Sequence, residues 1–145
     1  MTITHRGRCH CGNIRVAFDS EKAPDGLAVR ACGCSFCRGH GARTTTDPNG
    51  SARIEVADAG RLSRYRFGLK TADFLVCGNC GAYMGALFED GDGSAYVTLN
   101  TRYFENPDAY AGNPGPVHYE GETADDRRAR RRKMWTPVVA MREGS

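Results

Sequence analysis

Cys32-Gly33-Cys34-Ser35-Phe36-Cys37-Arg38 places three cysteines within six positions, and it is one of three such arms. The others are Gly7-Arg8-Cys9-His10-Cys11-Gly12 and Cys77-Gly78-Asn79-Cys80-Gly81, and none of the seven cysteines lies outside them. An odd number cannot be fully paired as internal disulfides. Met1 to His10 has no apolar segment of the kind that directs secretion. No apolar run approaches the roughly 18 residues of a membrane span. The expectation is a soluble, cytoplasmic protein in a reducing setting, where clustered cysteines act as metal ligands or catalysts. The 145 residues fit one domain, 1–145, long enough to bury about two thirds of its unfolded surface without covalent staples.

A Cys-x-x-Cys-Gly turn aims two thiolates at one metal, and a Cys-x-Cys arm can supply two ligands at a strand-to-turn junction. Tetrahedral zinc takes four such sulfurs at about 2.3 Å. Buried cysteines acting as small hydrophobes would not all fall into ligand spacings. A redox dithiol at Cys34/Cys37 or Cys77/Cys80 lacks the surrounding βαβ pattern. Seven divides as four plus three, a closed structural site and a site with one position open to a ligand. Two divisions respect the spacing. Cys9, Cys11, Cys77 and Cys80 can close one site and leave Cys32, Cys34 and Cys37 as a contiguous arm. Alternatively, Cys34, Cys37, Cys77 and Cys80 form a ribbon site and strand Cys9, Cys11 and Cys32.

The rest of the chain reads as mostly β. Ile14, Val16 and Phe18 alternate with polar or small residues, and Leu27, Val29 and Ala31 repeat that period into Cys32. Arg53 to Val56, Leu62 to Phe67, Phe74 to Val76, Tyr83 to Phe88 and Ala95 to Leu99 are further short strands. They are separated by turns such as Asp47-Pro48-Asn49-Gly50 and Asp90-Gly91-Asp92-Gly93. The core spans about 4–110, Asn106 to Pro116 reads as a loop, and a C-terminal extension carries one charged helix over 122–133. Thr123 and Asp126 are placed as a capping box there, and Pro137 is expected to stop the helix. Glu122 to Lys133 holds six basic and three acidic residues, so the rest of the chain, with 14 of each, is neutral.

Taken together, Gly-x-Cys-x-Cys-Gly-x-Ile at Gly7–Ile14, Cys-x-Cys-x-x-Cys-Arg at Cys32–Arg38 and Cys-x-x-Cys-Gly at Cys77–Gly81 resemble the glutathione-dependent formaldehyde-activating family, also described as S-(hydroxymethyl)glutathione synthases. The similarity runs from about Thr4 to Tyr110. It implies a β-tent (Mss4-like) fold of small curved sheets with two zinc ions per chain. It also implies the first division of ligands: Cys9, Cys11, Cys77 and Cys80 at a structural zinc, Cys32, Cys34 and Cys37 at a catalytic zinc. Members of the family often carry His where this chain has Gly33, and the segment from Glu122 to Pro137 stands outside the core signature.

A zinc with three cysteine ligands is a weak generator of hydroxide and a good holder for a soft thiolate. The expected activity is that of a carbon–sulfur lyase or synthase joining glutathione, or a similar thiol, to formaldehyde or another small aldehyde as a hemithioacetal. Glutathione brings two carboxylates, for which Arg38 and Arg43 are the nearest candidate partners. His40 is a possible fourth ligand, one that would close the second site and favour the alternative of a non-catalytic zinc module for protein interaction or thiol carriage. His10 lies between two ligands and points away, while His5 and His118 carry no motif. Nucleic-acid binding through Arg127 to Lys133 is disfavoured by the neutral body and the lack of interleaved aromatics. An ordinary solvated helix face with pairs such as Asp126–Arg130 accounts for that run. The expected partners are therefore a small thiol and an aldehyde, with neither nucleic acid nor membrane.

Overall fold

β1 (Ile3–Arg8) turns His5 and Gly7 inward and Thr4, Arg6 and Arg8 outward, so its inner face is not apolar and no hydrophobic period announces it. His5 is 3% exposed and satisfied by the Tyr110 hydroxyl at 2.7 Å. β2 (Ile14–Ser20) buries Ile14, Val16 and Phe18 as the alternation predicts. Next come β3 (Val29–Cys32), the short helix α1 (Ser35–His40), β4 (Thr44–Thr45), β5 (Ser51–Val56), β6 (Leu62–Tyr65), β7 (Asp73–Cys77), β8 (Tyr83–Glu89) and β9 (Ala95–Asn100). β10 (Gly115–Val117), α2 (Ala124–Met134) and β11 (Thr136–Glu143) complete the chain. The computed structural model describes residues 1–110 and 115–144; of the expected loop at Asn106 to Pro116, positions 111–114 lie outside the described residues, Pro107–Tyr110 form a 3-10 turn, and its last two residues begin β10.

The strands form two wings. One runs β1-β2-β5-β11, antiparallel until β11 joins β5 in parallel. The other is organised on β9. One edge of β9 pairs with β8, which continues to β7 and β6. Its other edge is shared, with Tyr96 and Val97 facing the start of β11 and Leu99 and Asn100 facing β4. β4 pairs with β3, and β3 pairs with β10 in parallel. The main core fills the space between the wings, with Ile14, Phe18 and Ile54 on one side and Leu75, Met84, Leu87 and Val97 on the other. This mostly-β architecture agrees with the expected fold class, with one addition. Alongside the expected C-terminal helix there is a second one, α1, inside the middle cysteine arm.

The C-terminal extension is built into the sheet. Thr123 and Asp126 make both halves of the capping box of α2. The helix ends at Met134, where Trp135 N–H donates to the Arg131 carbonyl, and Pro137 is not its stop: it lies in β11 opposite Tyr96. Trp135 packs on Ala72, Ala86 and Phe88, and Thr136 Oγ1 accepts from Asp47 N–H at 2.8 Å. β11 therefore joins the wings, and sequence periodicity missed it because its burial does not alternate. Among the described residues no helix is long and apolar enough to cross a membrane.

β8 is buried on both faces, and Gly85 is its tightest point. A Cβ there would lie 2.4 Å from the Thr98 carbonyl oxygen on β9. Gly85→Ala must separate two paired strands, and the expected cost is about 1–3 kcal/mol of unfolding free energy, read from urea denaturation. A loss below about 0.5 kcal/mol would show that the β8–β9 contact is looser than described.

Candidate metal centres

The first centre joins the ends of two hairpins built alike. β1 runs into Cys9, whose N–H donates to the Ile14 carbonyl at 2.9 Å, and Gly12 closes the turn onto the Cys9 carbonyl at 3.0 Å. β7 ends at Cys77, whose N–H donates to the Ala82 carbonyl at 2.9 Å, and Gly81 closes onto the Cys77 carbonyl at 2.8 Å. Gly12 at φ 85° and Gly81 at φ 82° occupy the left-handed region that these turns need. The result brings the sulfurs of Cys9, Cys11, Cys77 and Cys80 within 4.8 Å of one another. Cys11 Sγ lies 3.7 Å from Cys9 Sγ and 3.6 Å from Cys77 Sγ. A tetrahedron with metal–sulfur bonds of about 2.3 Å has edges of about 3.8 Å, so these spacings suit one metal ion. Cys9 and Cys77 are fully buried and belong to the main core. Burial pushes the Cys9 thiol up to about 11, whereas the Asn79 side chain holds Cys11 down, at about 6.

The second centre is the middle arm alone. β3 delivers Cys32, and Cys34 caps α1, its sulfur accepting from Cys37 N–H at 3.4 Å. One turn later Cys37 points inward, 4% exposed, and Gly41 at φ 61° ends the helix. The three sulfurs lie within 4.8 Å of one another, and among the described residues no fourth His, Cys, Asp or Glu joins them. His40 is exposed, with its ring 4.6 Å from that of Phe36. Hydrogen bonds from Cys32 and Cys37 hold the Cys34 thiol far below its ordinary value, at about 2, and the same contacts drive Cys37 upward. The buried Tyr83 hydroxyl sits 4.0 Å from Cys37 Sγ, and burial raises its pKa well above the ordinary phenol.

Gly33 has a local explanation. Its N–H donates to the Val117 carbonyl at 2.9 Å, and a Cβ at this position would fall 2.4 Å from the His118 ring. A histidine at position 33 would require the His118 ring to leave.

Cys32, Cys34 and Cys37 line a cavity of about 240 Å³. Phe67, Phe74 and Tyr83 form an apolar wall, and Arg127, Arg130, Arg131 and Met134 line it from α2. Those positions are spaced i, i+3, i+4, i+7, one face of a helix. That period was the available signal, and reading the run as a solvated face missed it. Arg130 pairs with Glu122 at 3.0 Å rather than with Asp126, and Arg131 is 5% exposed. Arg38 is exposed on α1, and Arg43 donates to the Ala42 carbonyl at 3.0 Å; neither is among the residues lining the cavity.

No curated protein matches the chain. A crystal structure of a Rhodobacter sphaeroides protein, from a structural genomics programme, is similar, at 28% identity and a TM-score of 0.56, over 77% of this chain and 99% of that one. The sequence profile described as "Glutathione-dependent formaldehyde-activating enzyme" matches residues 4–115, which include all seven cysteines and end before α2 and β11. With most of its length and both cysteine groups inside that match, the chain belongs to the glutathione-dependent formaldehyde-activating enzyme family.

Proposed function

We propose that this protein is a zinc-dependent carbon–sulfur lyase or synthase that joins a thiol, glutathione or one like it, to formaldehyde or another small aldehyde. The observation that carries the reading is the three-sulfur group at Cys32, Cys34 and Cys37, opening on a cavity and joined by no fourth side-chain donor among the described residues. In it Cys9, Cys11, Cys77 and Cys80 hold a structural zinc, and the middle arm holds a second zinc that leaves one coordination position to a ligand. All-sulfur donor sets suit zinc, and seven cysteines free of disulfides suit a reducing cytoplasm. When bound, the second metal would lower the pKa of a thiol brought to that position.

The reaction itself is simple addition. The thiolate sulfur forms a bond to the aldehyde carbon, the carbonyl π pair moves to oxygen, and oxygen takes a proton, giving the hemithioacetal. The reverse breaks the carbon–sulfur bond. The chain contributes orientation and a shaped environment. Phe67 and Phe74 exclude water on one side, and the arginines of α2 offer positive charge to carboxylates on the other. Arg38 and Arg43 stand outside this wall and would meet only parts of a ligand projecting past its rim.

Formation of S-hydroxymethylglutathione also occurs without catalyst, so the test is acceleration. NMR exchange spectroscopy on mixtures of formaldehyde and glutathione should show faster interconversion with the zinc-loaded protein and the uncatalysed rate with Cys34→Ala. Equal rates for the two proteins would sink the assignment.

A further inference from the structure

The four arginines that line the cavity are not equivalent. Arg127 and Arg130 lean on Glu122 at 3.7 and 3.0 Å, and the Arg130 guanidinium lies 3.6 Å from the centre of the Tyr119 ring. The two share that one carboxylate, and Arg127 Nε has no hydrogen-bond partner. Arg131 is 5% exposed, yet among the described residues no carboxylate stands within ion-pair distance of it. Its Nη1 donates to Thr71 Oγ1, its guanidinium lies 4.7 Å from the Trp135 ring, and its Nε has no partner. A guanidinium has five N–H donors in a fixed plane. Thr71 and Trp135 hold that plane and leave the buried Nε–H without a partner. Burial lowers the pKa of Arg131 to about 10, so it remains a cation at neutral pH. A buried cation without a counter-charge is costly to a fold and is retained where something else supplies the charge. Arg30, on the strand leading to Cys32, lines the same cavity, holds Thr46 Oγ1 at 3.0 Å and likewise has no carboxylate partner among the described residues.

We propose that Arg131 anchors a carboxylate of the substrate, so that the site selects a thiol, or thiol–aldehyde adduct, carrying that group, with its sulfur at Cys32–Cys34–Cys37 and its carboxylate against α2. The sulfur end rests on the function proposed above; the carboxylate end does not. Because α2 lies beyond the part of the chain that matches the family, this selectivity belongs to the C-terminal extension.

Trp135 is the single tryptophan and lies beside Arg131, so its fluorescence reports on the site. The zinc-loaded full chain is titrated with 3-mercaptopropionate, its methyl ester, propionate and inorganic phosphate. The acid should bind about 10- to 100-fold more tightly than the ester, the range expected for charge-assisted hydrogen bonds. Arg131→Met should bring that ratio to within about threefold without changing the affinity of the ester. Thr71→Val, which frees the guanidinium while keeping its charge, should reduce the ratio in part and serves if Arg131→Met does not fold. Propionate alone should perturb Trp135 in the wild type and in Cys34→Ala. An ester that binds as well as the acid, or a ratio that survives in both variants, overturns the proposal. Phosphate binding more tightly than propionate overturns the carboxylate assignment. Propionate binding with no response to either thiol supports the anion site and sinks the thiol reading.

Discussion

Cys77→Ser is expected to leave the chain without a stable fold, seen as collapsed NMR dispersion and the loss of a cooperative thermal transition. Cys77 is fully buried at the end of β7, and its sulfur lies 3.6 Å from that of Cys11 on the other wing. The four-sulfur group therefore ties the β1–β2 hairpin to the β7–β8 hairpin at one edge of the main core. Structural zinc contributes on the order of 10–16 kcal/mol in zinc-finger peptides at neutral pH. A whole domain is stable by only about 5–15 kcal/mol. Even a partial loss of that binding energy matches the stability available, and the serine leaves a hydroxyl at a fully buried position in addition. Exhaustive chelation of the wild type should have the same effect. A Cys77→Ser protein with native dispersion and a stability within about 1 kcal/mol of wild type would contradict a structural role for this centre.

Cys34→Ala is expected to do the opposite, keeping the fold and losing the function. Cys32, Cys34 and Cys37 stand apart from the main core, in a small cluster with Tyr83, Phe36 and Ala42. Removing the Cys34 sulfur deletes the cap of a six-residue helix, a cost of about 1 kcal/mol by analogy with other caps. The variant should fold with a melting temperature a few degrees below wild type and with zinc content falling from about two to about one per chain. Glutathione binding by calorimetry should become undetectable. A variant that keeps both metals, or that binds glutathione as the wild type does, would contradict the assignment of the open site to the middle arm.

The two variants separate because the sequence itself separates the arms. Each Cys-x-Cys or Cys-x-x-Cys turn announced its sulfurs, and strands such as β2 announced their buried face by strict alternation at Ile14, Val16 and Phe18. Where the inward positions are not apolar, the signal fails, as at β1 with His5 and Gly7. It fails again at β4, where Thr44 and Thr45 are both buried, and at β11, whose partners come from strands distant in sequence. α1 went unread because six residues give no helical period, and its cap is a cysteine rather than Ser, Thr, Asp or Asn. The candidate site was legible in its sulfurs and not in its wall. Arg131 is surrounded in sequence by exposed or ion-paired arginines, and only the folded helix shows which guanidinium turns inward against Trp135. Gly33 reads as a missing side chain until His118 is found beside it.

The central claim is that one centre is closed by four sulfurs and the other holds three and receives a thiol as the fourth. Zinc K-edge X-ray absorption on protein with two zincs bound reads this directly as the mean number of sulfur ligands. The expected value is about 3.5 without ligand, the average of four and three, rising to about 4 as glutathione saturates the site. A mean of four before any thiol is added, or a value that glutathione does not move, would contradict the account.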